Sequence, residues 1–216
     1  MRGFFNPDSP IMSFLGKLTD VIILNIITII CSLPVVTAGA AFTALHYVTL
    51  KMAKDEEGYI LKSYFKSFKE NFRQATVIWV IFLGISAVFY VDIRIIKYGA
   101  LDLPFVIDGV IYAAYLLCCF TAMYAFPVLA RFSNTIKGTL KNAFFMSMLH
   151  IFKTILMAVV YMIPVFLIPL NFNFIAVYFL MGMGLPSYII GFLWKTIFVK
   201  YEPAEEIRVS EEEMLY

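Results

Sequence analysis

Five runs of apolar sequence set the terms on which this chain can fold. They cover about residues 18–38, 75–96, 105–130, 151–170 and 174–199. Twenty residues of helix rise about 30 Å, the thickness of bilayer hydrocarbon, so each run is long enough to cross a membrane. The fold class expected is all-α integral membrane, with five transmembrane helices and two cytoplasmic amphipathic helices. Residues 1–200 read as a single membrane domain and residues 201–216 as an acidic cytoplasmic tail. Composition agrees. Of 216 residues 62% are hydrophobic and only 15% charged, with a mean hydropathy of +0.85; soluble domains carry about 25% charged residues.

The first run starts cleanly. Ser9 and Pro10 supply a cap and a proline at the first helical position. Its far end, Ala38-Gly39-Ala40, imitates a signal-peptide cleavage site. The lead before it is not basic and the stretch after it is rich in lysine, so the expectation is a retained span. Gly182, Gly184, Pro186 and Gly191 make the last run the one expected to kink or to pack closely on a neighbour.

Between the runs, Tyr59–Arg73 is amphipathic. Leu61, Phe65, Phe68 and Phe72 recur at helical spacing. Lys62, Lys66, Lys69 and Arg73 repeat that spacing one residue later, so a basic row lies beside an apolar one. Residues 131–150 repeat the register: Ile136, Leu140 and Phe144 with Lys137 and Lys141. These six cations read as contacts for a partner or for anionic lipid. Nucleic acid is not expected, since neither row is dense and no recognition fold accompanies them.

With five crossings, connections alternate sides. Placing the first long loop, the second long loop and the tail inside puts thirteen Lys and Arg inside and four outside. The positive-inside rule then favours a cytoplasmic-membrane protein with its N-terminus outside and its C-terminus cytoplasmic. The outer edge would hold Asp20, Asp92, Arg94 and Asp108 as an ionic belt, or as an outward-facing polar pocket; the belt is preferred because charge near an interface is cheaply hydrated.

Chemistry is sparse. Asn25, Thr28 and Ser32 share one face of the first run. Such an intramembrane polar face serves as helix–helix glue more often than as a substrate path. His46 and His150 fall in loops without partners at ligand spacing, so no metal site is expected. The cysteines, Cys31, Cys118 and Cys119, read as reduced thiols in apolar surroundings. No nucleotide-binding, hydrolase or zinc pattern is present; no catalytic residue, no cofactor and no enzymatic activity are expected.

Several blocks resemble a known family. Leu24-Asn25, Pro34 and Thr37-Ala38-Gly39-Ala40-Ala41-Phe42 resemble the start of the YesL-like family. The stretch from Phe65 to Thr76 is similar to its second block, and Pro127 to Phe132 with Leu140 to Phe144 to its third. The resemblance implies a small multi-span protein, mostly of Gram-positive bacteria, with a domain of unknown function. It also implies gene neighbourhoods with carbohydrate ABC transporters and sensor kinases, but no catalytic residues. The function expected is an accessory or regulatory subunit associated with carbohydrate ABC transport; the alternative is a small stand-alone membrane transporter. Partners expected are the lipid bilayer and the permease subunits of such a transporter, with a homo-oligomer admitted.

Overall fold

A computed structural model of the chain describes residues 10–56, 58–97, 104–171 and 173–201. The N-terminal lead, Asp102 and the acidic tail beyond Tyr201 lie outside the described residues. Among the described residues there are eight α-helices: α1 (Pro10–Ser32), α2 (Ala38–Ala53), α3 (Ile60–Lys97), α4 (Phe105–Arg131), α5 (Ile136–Leu149), α6 (Ile151–Leu167), α7 (Phe174–Met181) and α8 (Gly184–Phe198). Among the described residues no strand is present.

The centre of the bundle is α2, which the sequence placed in a cytoplasmic loop. Thirteen of its sixteen residues are buried, and it packs against α1, α3, α4 and α8. Small residues make this packing close. A Cβ on Gly39 would stand 2.5 Å from the Ala75 carbonyl oxygen of α3, and one on Gly191 would stand 2.9 Å from the Thr49 carbonyl oxygen of α2. Helix backbones therefore meet at both points, as small residues allow in membrane bundles. Tyr64 of α3 is fully buried against α2 and reaches the Ala41 carbonyl at 3.4 Å.

α2 ends in a Schellman turn. The Glu56 amide donates to the Lys51 carbonyl and the Asp55 amide to that of Met52. Asp55 takes the left-handed position at φ 58°, where glycine is usual. Its carboxylate pairs with the Lys17 ammonium at 2.8 Å. That hydrogen bond and charge hold the Asp55 carboxyl below its ordinary pKa. The sequence put a membrane crossing between these two residues; the structure sets them side by side. α1 and α2 form a hairpin, so residue 55 returns to the end from which α1 starts.

The amphipathic stretch is not a separate helix. It forms the first half of α3, which runs unbroken for 38 residues, about 57 Å. The second half pairs antiparallel with α4, through Phe82 on Phe126 and Phe89 on Tyr115. At mid-length the Trp79 indole donates to the Val35 carbonyl in the turn before α2, at 2.7 Å. α5 opens with Thr135 capping the Gly138 amide and turns 98° into α6. α6 runs beside α8, with Lys153 donating to the Thr196 hydroxyl.

α1, α3 and α4 are each long and apolar enough to cross a membrane. The pairs α5–α6 and α7–α8 would make five crossings if each counts as one span despite its bend. The chain is thus a multi-pass membrane protein, with the exposed apolar faces such a setting requires. On α4, for example, Val106, Val110 and Leu116 stand open to the surroundings.

Close approach at α2 yields a direct expectation. Gly39→Ala should lower stability by roughly 1–3 kcal/mol through overpacking. It should lower the melting temperature in detergent, whereas Gly84→Ala, with open space around it, should not. Equal melting of the two variants would refute the backbone contact.

Candidate functional site

Asn25 does not line an open path. It is fully buried, and its Oδ1 accepts from the Met183 and Gly184 amides, both at 2.8 Å. Its Nδ2 donates to the Phe179 carbonyl at 2.6 Å. The first amides of a helix have no partner within it. Asn25 of α1 supplies that partner for α8 and also binds the last turn of α7, so it stabilises the 49° break between them. Gly184 permits the approach, its Cβ position lying 2.7 Å from the Val21 carbonyl oxygen. Thr28 is fully buried on the same face and Ser32 half-buried. At Asn25 this face joins α1 to the α7–α8 junction.

Beside this break lies a cavity of about 270 Å³, walled by α2, α3, α4, α6 and the α7–α8 junction. Its polar groups come from residues far apart in sequence. The Tyr161 hydroxyl of α6 is 3.2 Å from His46 Nε2 of α2 and 3.3 Å from the Ser187 hydroxyl of α8. His46 is only 8% exposed. The remainder of the wall is aromatic and aliphatic, with Phe42, Trp79 and Phe126 in mutual ring contact. Among the described residues no Asp, Glu, Lys or Arg lines the cavity. The sequence reading of His46 as a loop residue without partners is therefore corrected, because α2 is a core helix. His150 also has a partner, the Tyr201 hydroxyl at 3.2 Å from Nε2. No signal in the chain joined His46, Tyr161 and Ser187, since they lie on three helices at no fixed spacing.

The basic rows remain on the surface. Lys62, Lys66, Lys69 and Arg73 are all exposed along the first half of α3, and Lys137 and Lys141 are exposed on α5. α5 packs on α3 as well as on α4, so the two rows belong to neighbouring helices. The apolar stripe beside them is divided. Phe68 and Phe72 pack into the core, while Leu61 is 50% and Phe65 44% exposed.

Asp20, Asp92, Arg94 and Asp108 do not share one level. Asp20 lies one turn from Lys17, at the end where α3 begins. Asp92 and Arg94 lie near the other end of α3, about 45 Å away along its axis. Asp108 opens α4 beside them, and Arg94 stands over the Tyr90 ring at 5.7 Å. A single belt would need all four at one depth. Among the described residues no cluster of His, Cys, Asp and Glu could hold a metal ion. Cys31, Cys118 and Cys119 are free.

Residues 21–93 match a family described as "Protein of unknown function, DUF624". The match spans the second half of α1, all of α2 and nearly all of α3. No curated protein and no solved structure matches the chain.

Removing the Asn25 amide isolates the α7–α8 junction. Asn25→Ala leaves two buried amides without an acceptor, at roughly 1–3 kcal/mol each. Hydrogen exchange at Met183 and Gly184 should accelerate and the melting temperature should fall. Unchanged exchange at those amides would show that the junction holds without α1.

Proposed function

We propose that this membrane protein is a non-catalytic accessory subunit of a transport complex, with a carbohydrate ABC transporter as the complex that the resemblance suggests. One observation carries the reading. The exposed basic row of α3 continues, in one unbroken helix, into the exposed apolar half that crosses the bilayer. A partner seated on Lys62, Lys66, Lys69 and Arg73 is thereby rigidly linked to the membrane-embedded hairpin of α3 and α4. Leu61 and Phe65, left open beside the row, add apolar area to the seat. A permease subunit with an acidic cytoplasmic face is the partner of matching chemistry.

The orientation proposed differs from alternation across five crossings. Among the described cations, only Arg94 and Lys97 belong to the far end of α3. Lys17, Lys51, Lys54, Lys153, Lys195 and Lys200 gather at the opposite end, joined by the Lys17–Asp55 pair and by the contact of Lys195 with the Ala53 carbonyl. Lysine and arginine stay in the cytoplasm. We therefore place that end inside, and with it both the start of α1 and the end of α8.

The second reading, a small stand-alone transporter, draws on the cavity beside the broken α7–α8 helix, since discontinuous helices build substrate sites in transporters.

Two measurements test these proposals. Reporters fused ahead of α1 and after α8 should both be cytoplasmic, and one at Phe172 should be outside; an external reporter ahead of α1 would overturn the orientation. Reversing the charge of Lys62, Lys66, Lys69 and Arg73 together should abolish co-purification with a permease while leaving membrane insertion intact. Each near-surface cation contributes about 1 kcal/mol to anionic lipid as well. Seating on lipid alone would therefore appear as altered insertion with no partner to lose.

A further inference from the structure

We propose that the cavity around Tyr161 is a binding site for a neutral amphiphile: a molecule with a hydroxyl head group and a hydrocarbon chain that enters from the bilayer. This goes beyond docking on a transport complex and does not depend on it.

The head-group chemistry follows from the polar cluster. Tyr161 meets both His46 and Ser187, and all three residues line the cavity. A hydroxyl carries one proton and two lone pairs, so the end of this short network keeps unused capacity. If Tyr161 donates to Nε2, Ser187 donates to Tyr161 and is left able to accept; in the other tautomer Tyr161 donates to Ser187, which is left able to donate. A hydroxyl both donates and accepts, so it suits the cluster in either state. The uncharged wall offers no counter-ion, and a charged head group buried there would be costly.

The chain follows from the neighbouring space. A second cavity of about 160 Å³ lies among α6, α7 and α8, lined by apolar side chains such as Ile163, Leu167 and Val177. Tyr178 and Gly182 form part of the wall of both cavities. The Tyr178 ring packs directly on Gly182, whose missing Cβ leaves the room. A polar pocket therefore adjoins an apolar one through a single ring.

The entry follows from the helix packing. α4 and α6 are joined low down by the Tyr124–Thr154 hydrogen bond at 2.8 Å. Next to that bond Ala122 and Met123 of α4 line the cavity, and Val165, further along α6, lines it as well. Val165 and Phe166 are exposed on the apolar outer surface, as are Leu116 and Leu117. The mouth thus opens where lipid lies.

Trp79 lines the cavity and provides the readout. The chain has two tryptophans, so Trp194→Phe leaves Trp79 as sole reporter. In phosphatidylcholine nanodiscs, 2-bromododecan-1-ol, whose bromine sits beside the hydroxyl, should quench Trp79 along a saturating curve, whereas 1-bromododecane should quench it only in proportion to its amount in the lipid. Tyr161→Phe combined with Ser187→Ala removes both hydroxyls and should weaken the saturating component about tenfold. Should that variant not fold, Ala122→Leu fills the mouth without touching the hydroxyls and should remove the same component. Equal, non-saturating quenching by both probes overturns the proposal. So does saturating quenching that survives whichever of these variants folds.

Discussion

The structure depends on helices that meet through their backbones around α2. Half of the residues of α2 are alanine, glycine or threonine, which leaves room on its faces. It contributes by letting four neighbours come close, and close approach multiplies dispersion contacts that are individually weak. Gly39 of α2 against α3 and Gly191 of α8 against α2 are the points where no side chain fits between. Once α2 is enclosed, the path of the chain is constrained. α1 must lie antiparallel to it, the 54–59 connection must return to the end where α1 starts, and α3 must run past the whole hairpin before reaching α4.

That path makes α3 a lever with unlike halves. Its first half is clamped, with Tyr64, Ala75 and Ile78 buried against the hairpin. Among the described residues, its second half packs mainly on α4. A displacement at the basic row cannot be absorbed by a joint, because the helix has none. α7–α8 is the opposite case. It is a helix that does break, and Asn25 stabilises the break by accepting from the amides that the interruption exposes. One element of the fold is continuous where the sequence changes character, and another is interrupted where the sequence stays apolar.

This contrast explains what the sequence did and did not disclose. Apolar runs mark membrane helices well, because hydrocarbon tolerates few polar side chains, and α4 closely follows its run at 105–130. α2 escaped because its signature is smallness rather than hydrophobicity, and its lysine-rich end resembles a loop. The continuity of α3 was visible in principle: no glycine or proline lies between Ile60 and Leu83, and nothing at Arg73, Gln74 or Ala75 stops a helix. A change in polarity was taken for a boundary. Glycines 182 and 184 did announce the close packing at the last run. Asn25 was recognised as glue, but its partner was beyond reach, since 154 residues separate it from Phe179. The cluster of His46, Tyr161 and Ser187 had no local signal, because proximity there is created by α2 being inside.

Burial of α2 also decides the character of the cavity. A histidine in a cytoplasmic loop would be hydrated and able to titrate freely. The same histidine on an enclosed helix must find its hydrogen bonds among neighbours; its partner is the tyrosine of α6, which in turn meets the serine of α8. α8 reaches that position only because its chain has already turned at Gly182 and Met183. Asn25 holds this turn from the side of α1, away from the Tyr161 cluster. The polar face of α1 and the polar pocket are therefore two sides of one junction. The first satisfies the backbone of the broken helix, and the second exploits the space that the break leaves.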